Sequence, residues 1–125
     1  MKLLIVENNA AVRQVIRSIV ANPADEVHEC IDGMDALAAY IANRPDFVLM
    51  DIEMNGLDGI TATRRIKAAH PAAKIIIVTN YDDPALREAA RNAGACGYVL
   101  KENLFEVSSL LKTLIGSDDG REREI

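Results

Sequence analysis

Four short runs of uninterrupted apolar residues mark the chain: Leu3-Leu4-Ile5-Val6, Phe47-Val48-Leu49-Met50, Ile75-Ile76-Ile77-Val78 and Gly97-Tyr98-Val99-Leu100. Runs of this length without polar alternation predict strands covered on both faces, the habit of a parallel sheet. Each run ends abruptly in polar residues. The first meets Glu7-Asn8, the second Asp51, the third Thr79-Asn80 and the fourth Lys101. A carboxylate inside such a strand would be costly to bury, whereas one at its C-terminal end lies where open α/β sheets place their chemistry.

Between the runs the period changes to that of helices. Val12, Val15, Ile16, Ile19 and Val20 predict one apolar face of a first helix. A second strand, about Glu26 to Ile31, leads to a helix opened by Asp32-Gly33, with Met34, Leu37, Ala38 and Ile41 expected inward. After a loop from Glu53 to Leu57, Asp58 predicts the N-cap of a helix carrying Ile60 and Ile66 and ending near His70-Pro71. Asp82-Asp83-Pro84 reads as a cap with proline at the first helical position. The helix that follows turns small residues inward (Leu86, Ala89, Ala90, Ala93) and stops at Gly94, so it is expected to be comparatively mobile. A last helix from Asn103 shows Leu104, Val107, Leu111, Leu114 and Ile115, and residues 116–125 read as a charged flexible tail or the start of a linker after a domain of residues 1–115.

Strict strand–helix alternation with right-handed crossovers predicts an α/β fold, a flavodoxin-like doubly wound (βα)5 three-layer sandwich with parallel strand order 2-1-3-4-5. The ligand crevice then falls between strands 1 and 3. The special residues follow strands 1, 3, 4 and 5, and the outlying strand 2 supplies none, as that order requires.

Composition narrows the picture. With 125 residues, half of them hydrophobic and 26% charged, the chain closes a single core. A net charge of -5 leaves no basic stripe to neutralise phosphates, so no direct nucleic-acid binding is expected. No run approaches a membrane span or a signal peptide, which points to the cytoplasm. Cys30 and Cys96 lack metal-ligand spacing and read as small buried residues in a reducing compartment. His28 and His70 lack partners at ligand spacing and read as structural or solvated.

Glu7, Asn8, Asp51, Thr79 and Lys101 together make a phosphoryl-acceptor set. Carboxylates with an amide or carbonyl oxygen suit a hard cation such as Mg2+, a carboxylate beside it is an acyl-phosphate-forming nucleophile, and a lysine and a hydroxyl orient the transferred oxygens. Each residue also has a plainer reading: Glu7 or Asn8 can cap the first helix, Thr79 can finish a strand, Lys101 can be solvated, and Tyr98 can be ordinary core.

With these residues in place the sequence resembles the receiver domain of bacterial two-component response regulators, from about Lys2 to Ile115. The matching segments are Glu7-Asn8, the stretch Val48-Leu49-Met50-Asp51-Ile52-Glu53-Met54-Asn55-Gly56-Leu57-Asp58-Gly59, then Thr79, and Gly97-Tyr98-Val99-Leu100-Lys101. The resemblance implies that Asp51 accepts a phosphoryl group from a sensor histidine kinase or phosphotransfer protein. Glu7, Asn8, Asp51 and the Glu53 carbonyl would arrange Mg2+, Thr79 and Lys101 would hold the phosphoryl oxygens, and Tyr98 would be the switch aromatic. It also implies a downstream protein effector reading the face of the fourth helix, fifth strand and fifth helix, a face through which a homodimer can form, and no catalysis beyond the domain's own phosphorylation and dephosphorylation.

Three residues depart from the family pattern. Asn8 stands where the metal-touching aspartate is usual, Asn55 where a proline is usual, and Glu102 where many receivers have a proline in cis. The Lys101-Glu102 bond is therefore expected to be trans. Lys-Glu there is similar to receivers attached to helix-turn-helix outputs, although no such output is expected in this chain. Glu53 and Tyr81 occupy two positions that tune the lifetime of the phosphoryl group in the family, and bulky Tyr81 beside Asn80 predicts slow decay. The competing reading is a pseudo-receiver, in which Asn8 marks lost metal binding and the domain acts by phosphorylation-independent contact. Asp51-Ile52-Glu53 also faintly resembles the Asp-x-Asp of haloacid-dehalogenase-type phosphatases, but those carry it after the first strand. A flavin-binding loop after strand 1 would be rich in Ser, Thr and Gly, unlike Glu7-Asn8-Asn9.

Overall fold

Period-two alternation inside the apolar runs decides which helices each side chain meets. The computed structural model describes residues 1–54 and 56–124, with side chains through Ile115. Its strands are β1 Lys2–Val6, β2 Glu26–Cys30, β3 Phe47–Met50, β4 Ile75–Thr79 and β5 Gly97–Leu100. They alternate with α1 Ala10–Val20, α2 Ala36–Asn43, α3 Gly59–Ala69, α4 Pro84–Ala93 and α5 Phe105–Glu124. All pairings are parallel and the order is β2-β1-β3-β4-β5, as the alternation predicts.

Leu4, Val6, Val48, Met50, Ile75 and Ile77 point to one face, where α2, α3 and α4 cover them with Ala36, Tyr40, Ile60, Ile66, Ala90 and Ala93. Leu3, Ile5, Leu49, Ile76, Val78 and Val99 point to the other, against Ile16 and Val20 of α1, Leu104 just before α5, and Val107 and Leu111 of α5. Each such side chain fully buried is worth roughly 1.5–3 kcal/mol. The two layers hold the C-terminal ends of β1, β3 and β5 level.

The helix starts follow their caps. Asp58 accepts from Thr61 N at 2.9 Å, and Asp83 accepts from Ala85 N at 2.7 Å with Pro84 at the first helical position. The cap of α1 is Asn9, whose Oδ1 accepts from Val12 N at 3.0 Å, and neither Glu7 nor Asn8. Gly94 closes α4 at φ 105°, a left-handed conformation that glycine adopts without a steric penalty.

Several expected faces are turned. Val15 is exposed, because the buried stripe of α1 centres on Ile16 and Val20. In α2 the buried pair is Ala36 and Tyr40; Met34, Ala38 and Ile41 face outward. The reason lies at Gly33, where a Cβ would come 2.1 Å from the Leu57 carbonyl oxygen. That close pass delays the helix to Ala36 and sets its phase, leaving Met34 over Gly56. Cys96 is exposed, contrary to expectation, while Cys30 is buried. A 3-10 turn, Lys101–Asn103, precedes α5, which continues to Glu124 rather than stopping near Ile115. No cis peptide occurs among the described residues, and Asn55 lies outside them. His28 does have a partner, Glu26, 2.6 Å away on the same strand, and the His70 ring lies tilted against that of Tyr40, at 5.0 Å between centroids, and meets Arg44.

Candidate functional site

Glu7 and Asp51 extend the sheet by one residue beyond their strands. Glu7 N donates to Cys30 O at 3.0 Å and Asp51 N to Val6 O at 3.0 Å, so the two side chains emerge side by side at the carboxyl edge. Lys101 follows the last residue of β5 and reaches the same point. Its Nζ lies 2.7 Å from Glu7 Oε1 and 3.3 Å from Asp51 Oδ1. Glu7 is 1% exposed and Asp51 4%, so one ammonium stands between two buried carboxylates.

Burial and mutual contact shift Asp51 and Lys101. The Asp51 carboxyl is pushed from its ordinary 3.8 up to about 6, first by burial and then by the neighbouring Glu7 charge, with Lys101 and the Glu53 backbone amide pulling the other way. For Lys101, burial works against the charge, but the Glu7 and Asp51 carboxylates outweigh it and raise its pKa. Glu7 Oε2 accepts from Asn9 N at 3.0 Å. Glu7 Oε1 takes no directed hydrogen bond; its contact with Lys101 is ionic.

A cavity of about 290 Å3 opens above these groups, lined by Glu7, Asn8, Asn9, Val12, Asp51, Glu53, Met54, Asn80, Tyr81 and Lys101. The structure therefore brings together Glu7, Asn8, Asp51, Glu53 and Lys101. Thr79 is elsewhere: fully buried, with its Oγ1 accepting from Tyr81 N at 3.2 Å, and not part of the lining. Tyr98 is half-buried beside α4, donating its hydroxyl to Tyr81 O at 2.6 Å. Tyr81 also donates its own hydroxyl to Glu53 Oε2, bridging the β3–α3 and β4–α4 loops at the cavity mouth.

Would this set hold a divalent metal? The donors are hard oxygens, two carboxylates and the Asn8 amide, and Glu7 Oε1, which faces Lys101 without a directed hydrogen bond, could turn to a metal once the lysine moves to another partner. That suits Mg2+ with several retained waters. Among the described residues no group of three His, Cys, Asp or Glu is arranged for a metal; Asn8, on the cavity wall, would offer a neutral oxygen in place of a third charge.

Three positioning residues escaped the sequence reading. Arg13 Nη1 donates to Glu7 O at 2.8 Å and its Nε pairs with Glu29, which ties the Glu7 backbone to α1 and β2. Asn9 both caps α1 and fixes Glu7. At Gly59 a Cβ would lie 1.8 Å from the Asp51 carbonyl oxygen, so α3 can start against Asp51 only with glycine there. For Asn9 the signal was visible, an Asx three residues before Val12. For Arg13 and Gly59 the contacts are tertiary and leave no local pattern.

Fold and pocket define a doubly wound α/β domain with an acidic pocket at the carboxyl ends of its strands. The chain belongs to the family of response regulator receiver domains, whose profile matches residues 3–114. It is 36% identical over 115 residues to the uncharacterized transcriptional regulatory protein YhcZ of Bacillus subtilis, covering 90% of this chain and 53% of that protein. Among solved structures it is similar to a LuxR-family two-component response regulator from Aurantimonas, with TM-score 0.85, 32% identity, and coverage of 93% of this chain and 85% of the other. A LuxR-family DNA-binding response regulator from Staphylococcus aureus matches with TM-score 0.81, 29% identity, and coverage of 90% and 96%. The chain spans about half the length of the curated relatives it matches.

These relatives overturn the expectation of no direct nucleic-acid binding, because the family includes named transcriptional regulators and DNA-binding response regulators. The charge argument weighed only the present 125 residues of net charge -5, a length about half that of the relatives. The receiver is a signalling domain. Among the described residues no helix is long and apolar enough to cross a membrane.

Proposed function

We propose that Asp51 is the phosphoacceptor of this receiver and that a sensor histidine kinase or phosphotransfer protein supplies the phosphoryl group. The observation that carries this reading is the pair of buried carboxylates, Asp51 and Glu7, sharing the Lys101 ammonium beneath an open cavity. Above about pH 6 the Asp51 carboxylate is ionised and can attack. One of its oxygens bonds to phosphorus as the phosphorus–nitrogen bond of a phosphohistidine breaks, leaving an acyl phosphate on Asp51 and a free imidazole. Lys101 is placed to exchange its contact with Asp51 for one with the transferred oxygens. Glu7, Asn8, Asp51 and the Glu53 carbonyl would hold Mg2+, which when bound neutralises charge on the phosphoryl group. The rest of the machinery belongs to the chain.

The route outward runs through the backbone of one residue. Tyr81 gives its N–H to Thr79 Oγ1 and its carbonyl to the Tyr98 hydroxyl. If the Thr79 hydroxyl turns to a phosphoryl oxygen, Tyr81 N–H loses its acceptor and the carbonyl holding Tyr98 is loosened. The equilibrium of the α4, β5 and α5 face then shifts. The Tyr81–Glu53 bridge across the mouth supports slow loss of the phosphoryl group to water. We place the receiver at residues 1–115, with the part of α5 beyond Ile115 leading out of it as a charged tail or the start of a linker, and its action in the cytoplasm.

Intact mass after incubation with acetyl phosphate and Mg2+, beside Asp51→Asn, tests the reading. A labile gain of one phosphoryl group, absent in the variant and in chelator, is expected. Asn8 and the lack of a three-acid cluster among the described residues favour one alternative, a pseudo-receiver working by phosphorylation-independent contact. Folded protein that gains no mass at high Mg2+ would establish that alternative.

A further inference from the structure

Tyr98 lies on an edge strand under a helix that offers little bulk. The inward residues of α4 are Ala90 and Ala93, with Leu86 and Ala89 partly buried, so the helix itself cannot grip a tyrosine ring. What covers the ring is charged. The Arg87 guanidinium carbon sits 4.5 Å from the Tyr98 ring centroid, well inside cation–π range. Arg87 is in turn fixed, with Nε and Nη2 donating to Asp82 Oδ1 at 3.2 and 3.1 Å. Three consecutive residues of the β4–α4 loop thus divide the work. Tyr81 O takes the Tyr98 hydroxyl, Asp82 pins the guanidinium over the ring, and Asp83 caps the helix on which Arg87 rides.

We propose that Arg87, pinned by Asp82, is a positioning residue that clamps Tyr98 in its resting orientation and ties that orientation to the first turns of α4. This rests on the reading of Tyr98 as the residue that responds to capture at Thr79. To turn, Tyr98 must leave the Tyr81 carbonyl and also slide from beneath the guanidinium. Conversely, a displacement of α4 carries Arg87 off the ring. An exposed Arg–Asp pair that was only a surface ion pair would be worth little and would leave Tyr98 indifferent to its loss.

The chain has three tyrosines and no tryptophan, so 3-fluorotyrosine labelling of the full chain gives a three-line fluorine spectrum, assigned with Tyr→Phe variants. Arg87→Gln is expected to move the Tyr98 line and change its exchange broadening, with about a two- to five-fold shift in rotamer population, the size of an exposed cation–π contact. Tyr40 should stay in place. Arg87→Lys keeps the charge but not the forked pairing with Asp82 and should fall between. Asp82→Asn should move Tyr98 in the same direction as Arg87→Gln, by less. An unmoved Tyr98 line in Arg87→Gln, at unchanged melting temperature, would overturn the clamp. Phosphoryl uptake measured by mass on the same samples keeps the two readings apart. Wild type that takes no phosphoryl group defeats the receiver chemistry, whereas the unphosphorylated spectra alone decide whether Arg87 holds the ring.

Discussion

Asp51 is kept in a state that is poor for stability and useful for chemistry. Buried beside Glu7, its carboxyl is pushed up to about 6, so the folded chain holds that proton more tightly than the unfolded chain, whose value is near 3.8. The sign follows from linkage: the stabilising contribution is complete below pH 3.8 and is lost as pH rises through about 6. In metal-free protein Asp51→Asn removes one of the two like charges, so it should melt higher than wild type at pH 7. The difference should shrink as pH falls toward 4, because wild type gains stability across that window. Melting curves from pH 4 to 7 in chelator check this, and parallel profiles for the two proteins would refute it. With that value Asp51 is still mostly ionised at neutral pH while stripped of most of its water, a condition suited to a nucleophile.

At the scale of elements, the sheet was legible because uninterrupted apolar runs have few alternatives to a covered parallel strand. The caps at Asp58 and Asp83 were legible because capping is a local pattern. Helix faces were less so. The face of α2 is set by the approach of Gly33 to the Leu57 carbonyl, a contact between distant residues that periodicity within Met34 to Ile41 does not encode. For the same reason the site's acids and lysine could be read from strand ends, but the grip of Arg13 on Glu7 and the need for Gly59 could not. Gly59 carries the sharper prediction. A methyl group there would meet the Asp51 carbonyl at 1.8 Å, so Gly59→Ala must shift either the start of α3 or the end of β3. Urea unfolding should show a loss of about 1–3 kcal/mol, the usual range for overpacking. Phosphoryl uptake should fall further than that loss explains, and unchanged uptake would separate Gly59 from the site.

For the molecule as a whole, a ligand that binds only the folded state raises its stability by mass action, so Mg2+ should raise the melting temperature of this chain. Asn8→Asp should act in two directions. It adds a carboxylate beside Glu7 and Asp51, which should lower the melting temperature in chelator and steepen its rise with Mg2+. A Mg2+ titration followed by calorimetry reads both, and identical curves for the variant and wild type would remove Asn8 from the site. A different consequence follows from β2, the border strand on one side. Its outward residues are committed to ions: Glu26 meets Lys2 and His28, and Glu29 meets Arg13 and Arg17. A neighbour's strand docking there would have to strip those charges of water and partners, the device by which natural sheets resist edge-to-edge aggregation. On that side the charged border works against any extension of the backbone ladder by a neighbour's strand.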